Sequence, residues 1–308
     1  MTLSHNTDLH TTLITIYVFV DDMQDAILES IRPLLTRPTK GTPPIKKHKL
    51  SVSEIATLAI FRFYTGHRNW KDFYNHIKTY HQKDFPNLPT YQNFIAAIDK
   101  LACFSAILLQ GFMHFFRTHT HGEATKFVDG SKLKVCEITR SLSHKVAKDY
   151  ATKSKTHTGW FYGFRLHIIV NEWMEILGCK IATGSKDERK VLASMWDNII
   201  GMIVADAGYI GKQWAEKAKE GGKVLFAAVR ANMKKLMTKA QHALLKERQK
   251  VEIVFSVLKL RFGIENTLPR SIQGYLAHYL WALTAYQLKK LFDGRKNALS
   301  APSIGSGA

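Results

Sequence analysis

Residues 202–209 read Met-Ile-Val-Ala-Asp-Ala-Gly-Tyr, and this stretch decides the predicted fold. A short apolar run followed by small residues is typical of a buried strand in a parallel sheet, and here the run ends in a carboxylate, Asp206. Residues 127–130, Phe-Val-Asp-Gly, repeat the pattern around Asp129. Because a folded core does not readily accept such charges, we predict that two strands deliver Asp129 and Asp206 to one acidic pocket.

A third acid, Glu252, lies in a stretch with helical periodicity, residues 244–261. At 3.6 residues per turn, Arg248, Glu252 and Lys259 share one polar stripe of an otherwise apolar helix. One interpretation is a surface ion pair between Arg248 and Glu252, which are four residues apart. The other makes Glu252 a metal ligand in the same pocket and assigns Arg248 and Lys259 to phosphate binding.

The two aspartates have alternative interpretations. Asp129-Gly130 is a favoured dipeptide for a two-residue hairpin turn, although lysines alternating with apolar residues over 132–135 favour a strand that continues past the acid. Asp206 could instead cap a helix or begin a turn, but the apolar run before it favours a strand end.

Carboxylates in such a pocket suit Mg²⁺, which prefers hard oxygen ligands and keeps part of its water shell. Two such ions, about 3.5–4 Å apart, can activate a water or a 3′-hydroxyl and stabilise the leaving oxygen of an in-line displacement at phosphorus. The predicted cofactor is therefore Mg²⁺, as two ions, with Mn²⁺ as a substitute. Such a reaction needs no covalent protein nucleophile.

The spacing Arg248-x3-Glu252-x6-Lys259 resembles the signature around the last acid of DDE transposases from bacterial insertion sequences. That signature is often Tyr-x2-Arg-x3-Glu-x6-Lys, and Leu245 stands at its tyrosine position. Residues 159–167, Gly-Trp-Phe-Tyr-Gly-Phe-Arg-Leu-His, and residues 205–210, Ala-Asp-Ala-Gly-Tyr-Ile, resemble segments of insertion-sequence family nine-eight-two. Residues 51–55 and 64–74 are also similar to this family, so the likeness runs from about residue 13 to about 290.

The resemblance implies that Asp129, Asp206 and Glu252 are the catalytic acids and the metal ligands. It implies a transposase that cleaves the inverted-repeat ends of its mobile element and joins the freed 3′-hydroxyl to target DNA. The expected partner is double-stranded DNA, and because two ends must be brought together, we expect a homodimer on DNA. The predicted DNA- or phosphate-binding residues are Arg248, Lys259, Arg165, His167, Lys145 and Arg68.

The composition independently favours a nucleic-acid partner. The chain has 44 Lys and Arg against 25 Asp and Glu, a formal charge of +19 at pH 7, so it attracts polyanions and releases their counterions. A membrane surface or an acidic protein is the alternative partner. No apolar run reaches the roughly 18 residues of a membrane span and residues 1–6 lack a signal pattern, so we expect a soluble, internal protein without membrane contact. The resemblance to transposases of bacterial insertion sequences implies a cytoplasmic, nucleoid-associated bacterial protein.

Residues 1–120 are predicted to form an all-α domain, with helical patterns at 11–35, 53–63, 70–81, 91–100 and 102–117. Arg62 and Arg68 in this domain could lie against a phosphate backbone, which would make it a domain that recognises DNA ends. The alternative is a packing or dimerisation domain with a solvated basic face.

Residues 121–295 are predicted to form an α/β catalytic domain, followed by a flexible tail over 296–308. Five strands are predicted, at 125–136, 159–171, 175–183, 202–206 and 224–229, with helices at 187–200, 212–220 and 240–262. This order resembles the RNase H-like fold, a mixed sheet with flanking helices in which the first and fourth strands lie side by side. That adjacency would bring Asp129 and Asp206 together.

The segment 137–158 is polar and basic, and we interpret it as a long connection that faces DNA or, equally, as a solvated loop. Two other functions remain open for the chain. A nuclease of the same fold would keep the three acids without joining DNA, and a retired transposase would bind DNA without cutting it. The presence of all three acids favours an enzyme.

Overall fold

The computed structural model describes residues 3–35, 49–120, 124–156, 159–209, 211–227 and 237–300. Five helices come first: α1 (Leu3–Leu35), α2 (Val52–Phe61), α3 (Trp70–Tyr80), α4 (Tyr91–Lys100) and α5 (Ala102–His119). Capping fixes where two of them begin, since Ser51 and Glu54 form a capping box at α2 and the Asn69 side chain accepts from the Asp72 N–H at α3. Among the described residues no single helix is long and apolar enough to cross a membrane, although α4 and α5 together, across a bend of 47°, meet the length and composition required.

Six strands of the described residues form one mixed sheet: β1 (Lys126–Cys136), β2 (Thr152–Thr156), β3 (Gly159–Val170), β4 (Ile176–Thr183), β5 (Gly201–Ala205) and β6 (Lys223–Ala227). β1 pairs antiparallel with β3 on one edge and parallel with β5 on the other, and β6 extends the sheet beyond β5. The second edge of β3 is shared, because β2 pairs with its first residues and β4 with its later ones.

The α/β class, the mixed sheet with flanking helices and the all-helical region before it are confirmed. The predicted first and fourth strands, β1 and β5, are neighbours. Asp129 and Gly130 lie inside β1, each paired with a residue of β3, so the hairpin turn considered for this dipeptide is wrong. Residues 228 and 229, predicted to end the last strand, lie outside the described residues.

The flanking helices are α6 (Glu188–Ala193), α7 (Lys212–Glu220), α8 (Lys239–Lys246), α9 (Gln249–Ser256) and α10 (Ile272–Ser300). The helix predicted over 187–200 ends early, at Ala193, and Ile199 beyond it is buried in the core. The helix predicted over 240–262 is broken at Glu247 and Arg248, and a π-helical turn, Val257–Arg261, follows α9. The periodicity was continuous in the sequence, so it did not reveal these breaks.

The basic segment 137–158 is folded over its described residues and is not a plain solvated loop. Residues 138–140 form a 3-10 turn, the side chain of Ala147 is fully buried, and residues 152–156 form β2. β2 has no apolar residue, so nothing in its composition predicted a strand. Its pairing with β3 supplies the backbone hydrogen bonds that form it.

The expectation that Arg62 contacts DNA is wrong. Its side chain is 1 % exposed, donates from Nη2 to the Arg68 carbonyl at 2.9 Å, and lies over the Trp70 ring at 4.6 Å. Burial lowers the pKa of the guanidinium to about 10. This arginine is part of the helical core, whereas Arg68 is exposed.

The helix α10 packs against the N-terminal helices as well as following the sheet. Trp281 Nε1 donates to the Ile98 carbonyl at 3.3 Å, and the buried hydroxyls of Ser105 and Thr284 lie 3.0 Å apart. α10 runs to Ser300, into the segment 296–308 predicted to be a tail, and residues 301–308 lie outside the described residues. The domain boundaries at 120 and 295 stay a prediction.

Asp99 provides a test of the contact between α4 and α10. Its Oδ2 lies 3.2 Å from the point where a Cβ on Gly274 would stand, and burial raises its pKa to about 6. A raised carboxyl pKa means that the folded state binds the proton more tightly, so stability falls as pH rises from about 4 to about 6. We expect Asp99→Asn to raise the free energy of unfolding at pH 8 by about 1–2 kcal/mol.

The advantage of Asp99→Asn should shrink as pH falls toward 4, where Asp99 is protonated in both states. Urea unfolding at several pH values measures this difference in the free energy of unfolding between Asp99→Asn and wild type. Asp22→Asn, at an exposed position of α1, is the matched control and should show no such trend. Equal stability of Asp99→Asn and wild type at pH 8 would contradict the prediction.

Candidate active site

The parallel pairing of β1 with β5 places two of the predicted acids side by side. Lys126 is in register with Ile203 and Phe127 with Val204. Two residues further along each strand, Asp129 and Asp206 therefore reach matching positions, with the strands about 4.8 Å apart. Their charges interact, because Asp206 contributes to raising the pKa of Asp129.

Each aspartate is held by the backbone that follows it. Asp129 Oδ1 accepts from the Gly130 N–H and Asp206 Oδ1 from the Ala207 N–H, both at 2.7 Å. Burial raises the pKa of Asp129 above its ordinary value. The hydrogen bond from the Gly130 N–H and the charge of Arg248 lower this pKa by smaller amounts. Asp206 is exposed at the start of a 3-10 turn. The pair thus combines one half-buried carboxylate with one open to solvent.

Arg248 joins the first acid to the third. Its Nη1 donates to Asp129 Oδ2 and its Nη2 to Glu252 Oε1, each at 3.0 Å. The guanidinium lies at the break between α8 and α9, and α9 packs on β1, so Glu252 stands one turn beyond it. The Glu252 side chain is 55 % exposed against 26 % for Asp129. The interpretation of the Arg248–Glu252 spacing as an ion pair is therefore confirmed, and the pair adjoins Asp129. The other interpretation, with Glu252 as a metal ligand and Arg248 and Lys259 on phosphates, stays a prediction.

Lys259 lies in the π-helical turn after α9 and faces the sheet. Its Nζ donates to the Lys132 carbonyl at 2.8 Å and lies 3.5 Å from Glu265 Oε2. Burial lowers its pKa, against the opposite effect of Glu265. The contact fixes the end of this helix on β1. Leu245, at the signature's tyrosine position, is partly buried against the core.

Four polar side chains pack together beneath the turn that follows Asp206: Arg165 and His167 on β3, Glu188 on α6 and Tyr209 in the turn itself. Arg165 pairs with Glu188 of α6, and His167 Nδ1 shares a 3.4 Å hydrogen bond with the Tyr209 hydroxyl. His167 and Tyr209 are fully buried, and burial lowers the pKa of His167 to about 4, so the imidazole is neutral at pH 7. His167 Nε2 and Arg165 Nε are buried without a hydrogen-bond partner in the described part of the chain.

Sequence analysis did not identify Glu188 or Tyr209 as site residues. A Cβ on Gly208 would meet Glu188 Oε2 at 2.9 Å, so this side chain packs directly under the turn after Asp206. Its ionic partner, Arg165, is 23 residues away, and no local spacing links them. Tyr209 could have been identified from the sequence, because it ends the strand-and-turn stretch 202–209 and is the first large residue after Asp206.

The other two predicted phosphate-binding residues lie apart from the acids in the chain and are exposed. Lys145 is in the turns between β1 and β2, and Arg68 is in the loop before α3. Arg165 and His167 are held inside the protein by Glu188 and Tyr209, as described above. A role in binding DNA stays a prediction for all four residues.

The donor set at this site is chemically suited to a divalent metal, since it consists of three carboxylates on two strand ends and a helix. Among the described residues, however, no group of three or more His, Cys, Asp or Glu side chains is placed to hold a metal ion. Arg248 lies between Asp129 and Glu252 and neutralises both. A cation at Asp129 would have to take over the Oδ2 atom that Arg248 now holds.

The tight packing under Gly130 gives a test of the site's support. A Cβ there would lie 2.8 Å from His167 Cε1 and Nδ1, and the ring is buried and cannot move freely. We expect Gly130→Ala to lower the free energy of unfolding by about 1–3 kcal/mol. Gly111→Ala, in α5 with nothing within 4 Å, should instead be neutral or stabilise by about 0.5–1 kcal/mol. Thermal melting of both variants measures these changes. An equal change in melting temperature for Gly130→Ala and Gly111→Ala would contradict the packing argument.

Comparison with known proteins gives one match to a family. A family model described as a transposase DDE domain matches residues 119–272, half of the 308 residues. The matched range contains Asp129, Asp206 and Glu252 together with the whole sheet from β1 to β6. Comparison with curated proteins gives no match. A strand pair that sets two acids in register, a helix that adds a third and the matching family model lead to one conclusion: the chain belongs to the transposase DDE domain family.

Proposed function

We propose that the protein is a transposase that cleaves the ends of its own insertion sequence and joins them to target DNA, with Asp129, Asp206 and Glu252 as the catalytic acids. The observation that carries the proposal is the register of β1 and β5, which sets Asp129 beside Asp206. Arg248 donates hydrogen bonds to both Asp129 and Glu252, so Glu252 lies next to the two aspartates. We further propose membership of insertion-sequence family nine-eight-two, on the motifs at 159–167 and 205–210.

The DDE transposase family generally uses divalent metal ions, and we propose Mg²⁺, with Mn²⁺ as a substitute. Asp129, Asp206 and Glu252 would hold two ions, which would supply an activated water or 3′-hydroxyl and charge stabilisation at the leaving oxygen. The chain itself contributes the placement of the acids. Neighbouring backbone N–H groups orient Asp129 and Asp206, and the neutral His167 and the Arg165–Glu188 pair support the turns behind them.

Arg248 has a second role in this proposal. In the protein without DNA, its guanidinium neutralises Asp129 and Glu252. A phosphate is a strong bidentate partner for arginine, so DNA can draw Arg248 away and free both carboxylates. Binding of DNA would then favour metal binding, and by thermodynamic reciprocity metal would favour DNA.

The remaining parts of the proposal concern assembly and location. We propose residues 1–120 as a helical domain for DNA-end recognition or dimerisation, 121–295 as the catalytic domain and 296–308 as a tail. Because two ends must meet, we propose a homodimer on DNA, with Lys259, Lys145 and Arg68 among its phosphate contacts. Since the substrate is cellular DNA, we place the protein in the bacterial cytoplasm.

A nuclease that cuts without joining is the second candidate, because it would use the same three acids. A DNA-binding protein without catalysis is the third, and the pairing of Asp129 with Asp206 weighs against it, since two like charges side by side cost stability and serve no binding purpose. The cleavage experiment below separates all three.

The decisive experiment incubates the protein with labelled duplex carrying the gene's own flanking ends and Mg²⁺ or Mn²⁺. We expect nicking at the end and joined product, both reduced by at least about 100-fold in Glu252→Gln, because loss of a metal-ligating carboxylate removes most of the rate. Glu247→Gln, an exposed change one turn earlier, is the matched control. Nicking without joining would indicate the nuclease, and binding without cleavage would sink the enzymatic proposal.

The role of Arg248 is tested by thermal melting with and without Mn²⁺. Without metal, Arg248→Ala should destabilise the protein by about 1.5–3 kcal/mol, because the buried Asp129 loses a charged hydrogen bond. With Mn²⁺, the rise in melting temperature should be larger in the variant than in wild type, since the metal no longer competes with a guanidinium. Arg261→Ala, exposed on the same helical stretch, is the control. A smaller rise in Arg248→Ala than in wild type would contradict the competition.

A further inference from the structure

The hairpin of β2 and β3 carries an unusual set of exposed side chains. Lys155 is directly opposite Trp160, and Lys153 is opposite Tyr162, so these residues project from one face of the two-stranded ribbon. Both lysines are exposed, and the Trp160 side chain is 61 % exposed. A single exposed indole is common on protein surfaces, so it is the combination of Trp160 with the lysines around it that makes this face a candidate binding surface.

The turns before β2 extend this face. The Tyr162 hydroxyl donates to the Ala147 carbonyl at 3.4 Å, and Ala147 itself is buried, which anchors residues 141–151 on the hairpin. The anchored turns leave further side chains in solvent. We call the ribbon surface the exposed set Lys145, Lys148, Tyr150, Lys153, Lys155 and Trp160. Asp149 is the one acid among residues 141–160, so the surface is strongly basic.

A simpler explanation accounts for part of this surface. β2 is the last strand on its side of the sheet, and lysines on an edge strand prevent pairing with other chains. That explanation covers Lys153 and Lys155. It does not cover Trp160 and Tyr150, since exposed aromatic rings on an edge favour association. Basic side chains clustered on one surface are the electrostatic footprint of a nucleic-acid partner, and the exposed aromatic rings among them add apolar contact area.

We propose that the ribbon surface docks on duplex DNA away from the cleavage point, with its lysines on phosphates and Trp160 packed against the sugar and base edges. This rests on the proposed function, because it requires DNA at the three acids. The major groove admits a two-stranded β-ribbon, and the hairpin has that form.

The sheet fixes the distance between the ribbon surface and the acids. Asp129 is paired with Ile168 on β3, and Trp160 is eight residues earlier on the same strand. At about 3.3 Å per residue this is about 26 Å along β3. A duplex following the strand covers that distance in roughly 8 base pairs, at about 3.4 Å each. The partner is therefore paired DNA inside the element end rather than the frayed terminus.

The test compares two DNA lengths. Hairpin-closed duplexes carrying the element end would extend either about 5 or about 20 base pairs inward from the cleavage position, so that only the longer reaches the ribbon surface. The variant is Lys153→Ala/Lys155→Ala/Trp160→Ala. Its matched control is Lys212→Ala/Lys219→Ala/Trp173→Ala, which removes two exposed lysines and one exposed tryptophan elsewhere. Fluorescence anisotropy measures the dissociation constants.

We expect the ribbon variant to bind the long duplex about tenfold or more weakly than the control, with the slope of log K against log salt shallower by about 2. Both variants should bind the short duplex equally. Equal weakening on both lengths, or no weakening beyond the control, would overturn the inference. If wild-type protein cleaves element ends and the ribbon variant binds DNA as tightly as the control variant, this inference alone is overturned. Wild-type protein that binds no DNA overturns the proposed function with it.

Discussion

The parallel pairing of β1 with β5 is the constraint on which the site depends. It sets Asp129 and Asp206 at matching positions of neighbouring strands, where two carboxylates repel. The protein limits that cost with backbone N–H groups and with the Arg248 guanidinium, and one of the two acids stays open to solvent. The remaining repulsion is the reason that the pocket is suited to a cation.

Much of the fold could be predicted because the acids follow apolar runs. The strands that carry Asp129 and lead to Asp206 could be predicted from the apolar residues before each acid, and the helix around Glu252 from its periodicity. β2 could not be predicted, since Thr-Lys-Ser-Lys-Thr has no apolar face and becomes a strand only through its pairing with β3. The break at Arg248 was hidden for a related reason: the apolar periodicity runs through it, and only contact with Asp129 distinguishes the two helices.

The support beneath the site was the least predictable part. The sequence predicts Arg165 and His167, which stand two residues apart on β3, as phosphate contacts. Their environment depends on Glu188 and Tyr209, which other elements supply. A polar residue on a strand next to an active site can face substrate or scaffold, and only tertiary contacts decide between them. The same holds for Arg62, whose burial depends on Trp70 and the Arg68 carbonyl.

The helix α10 has a consequence for how the chain matures. Its Trp281, Thr284 and Ala285 complete the packing of α2, α4 and α5, which precede the sheet in the sequence. On the ribosome, the helical region therefore emerges long before the residues that close its core. We expect the newly made chain to reach its native packing only after residues 272–300 have left the exit tunnel. The native packing of the helical region therefore waits for α10, which follows Asp129, Asp206 and Glu252 in the sequence.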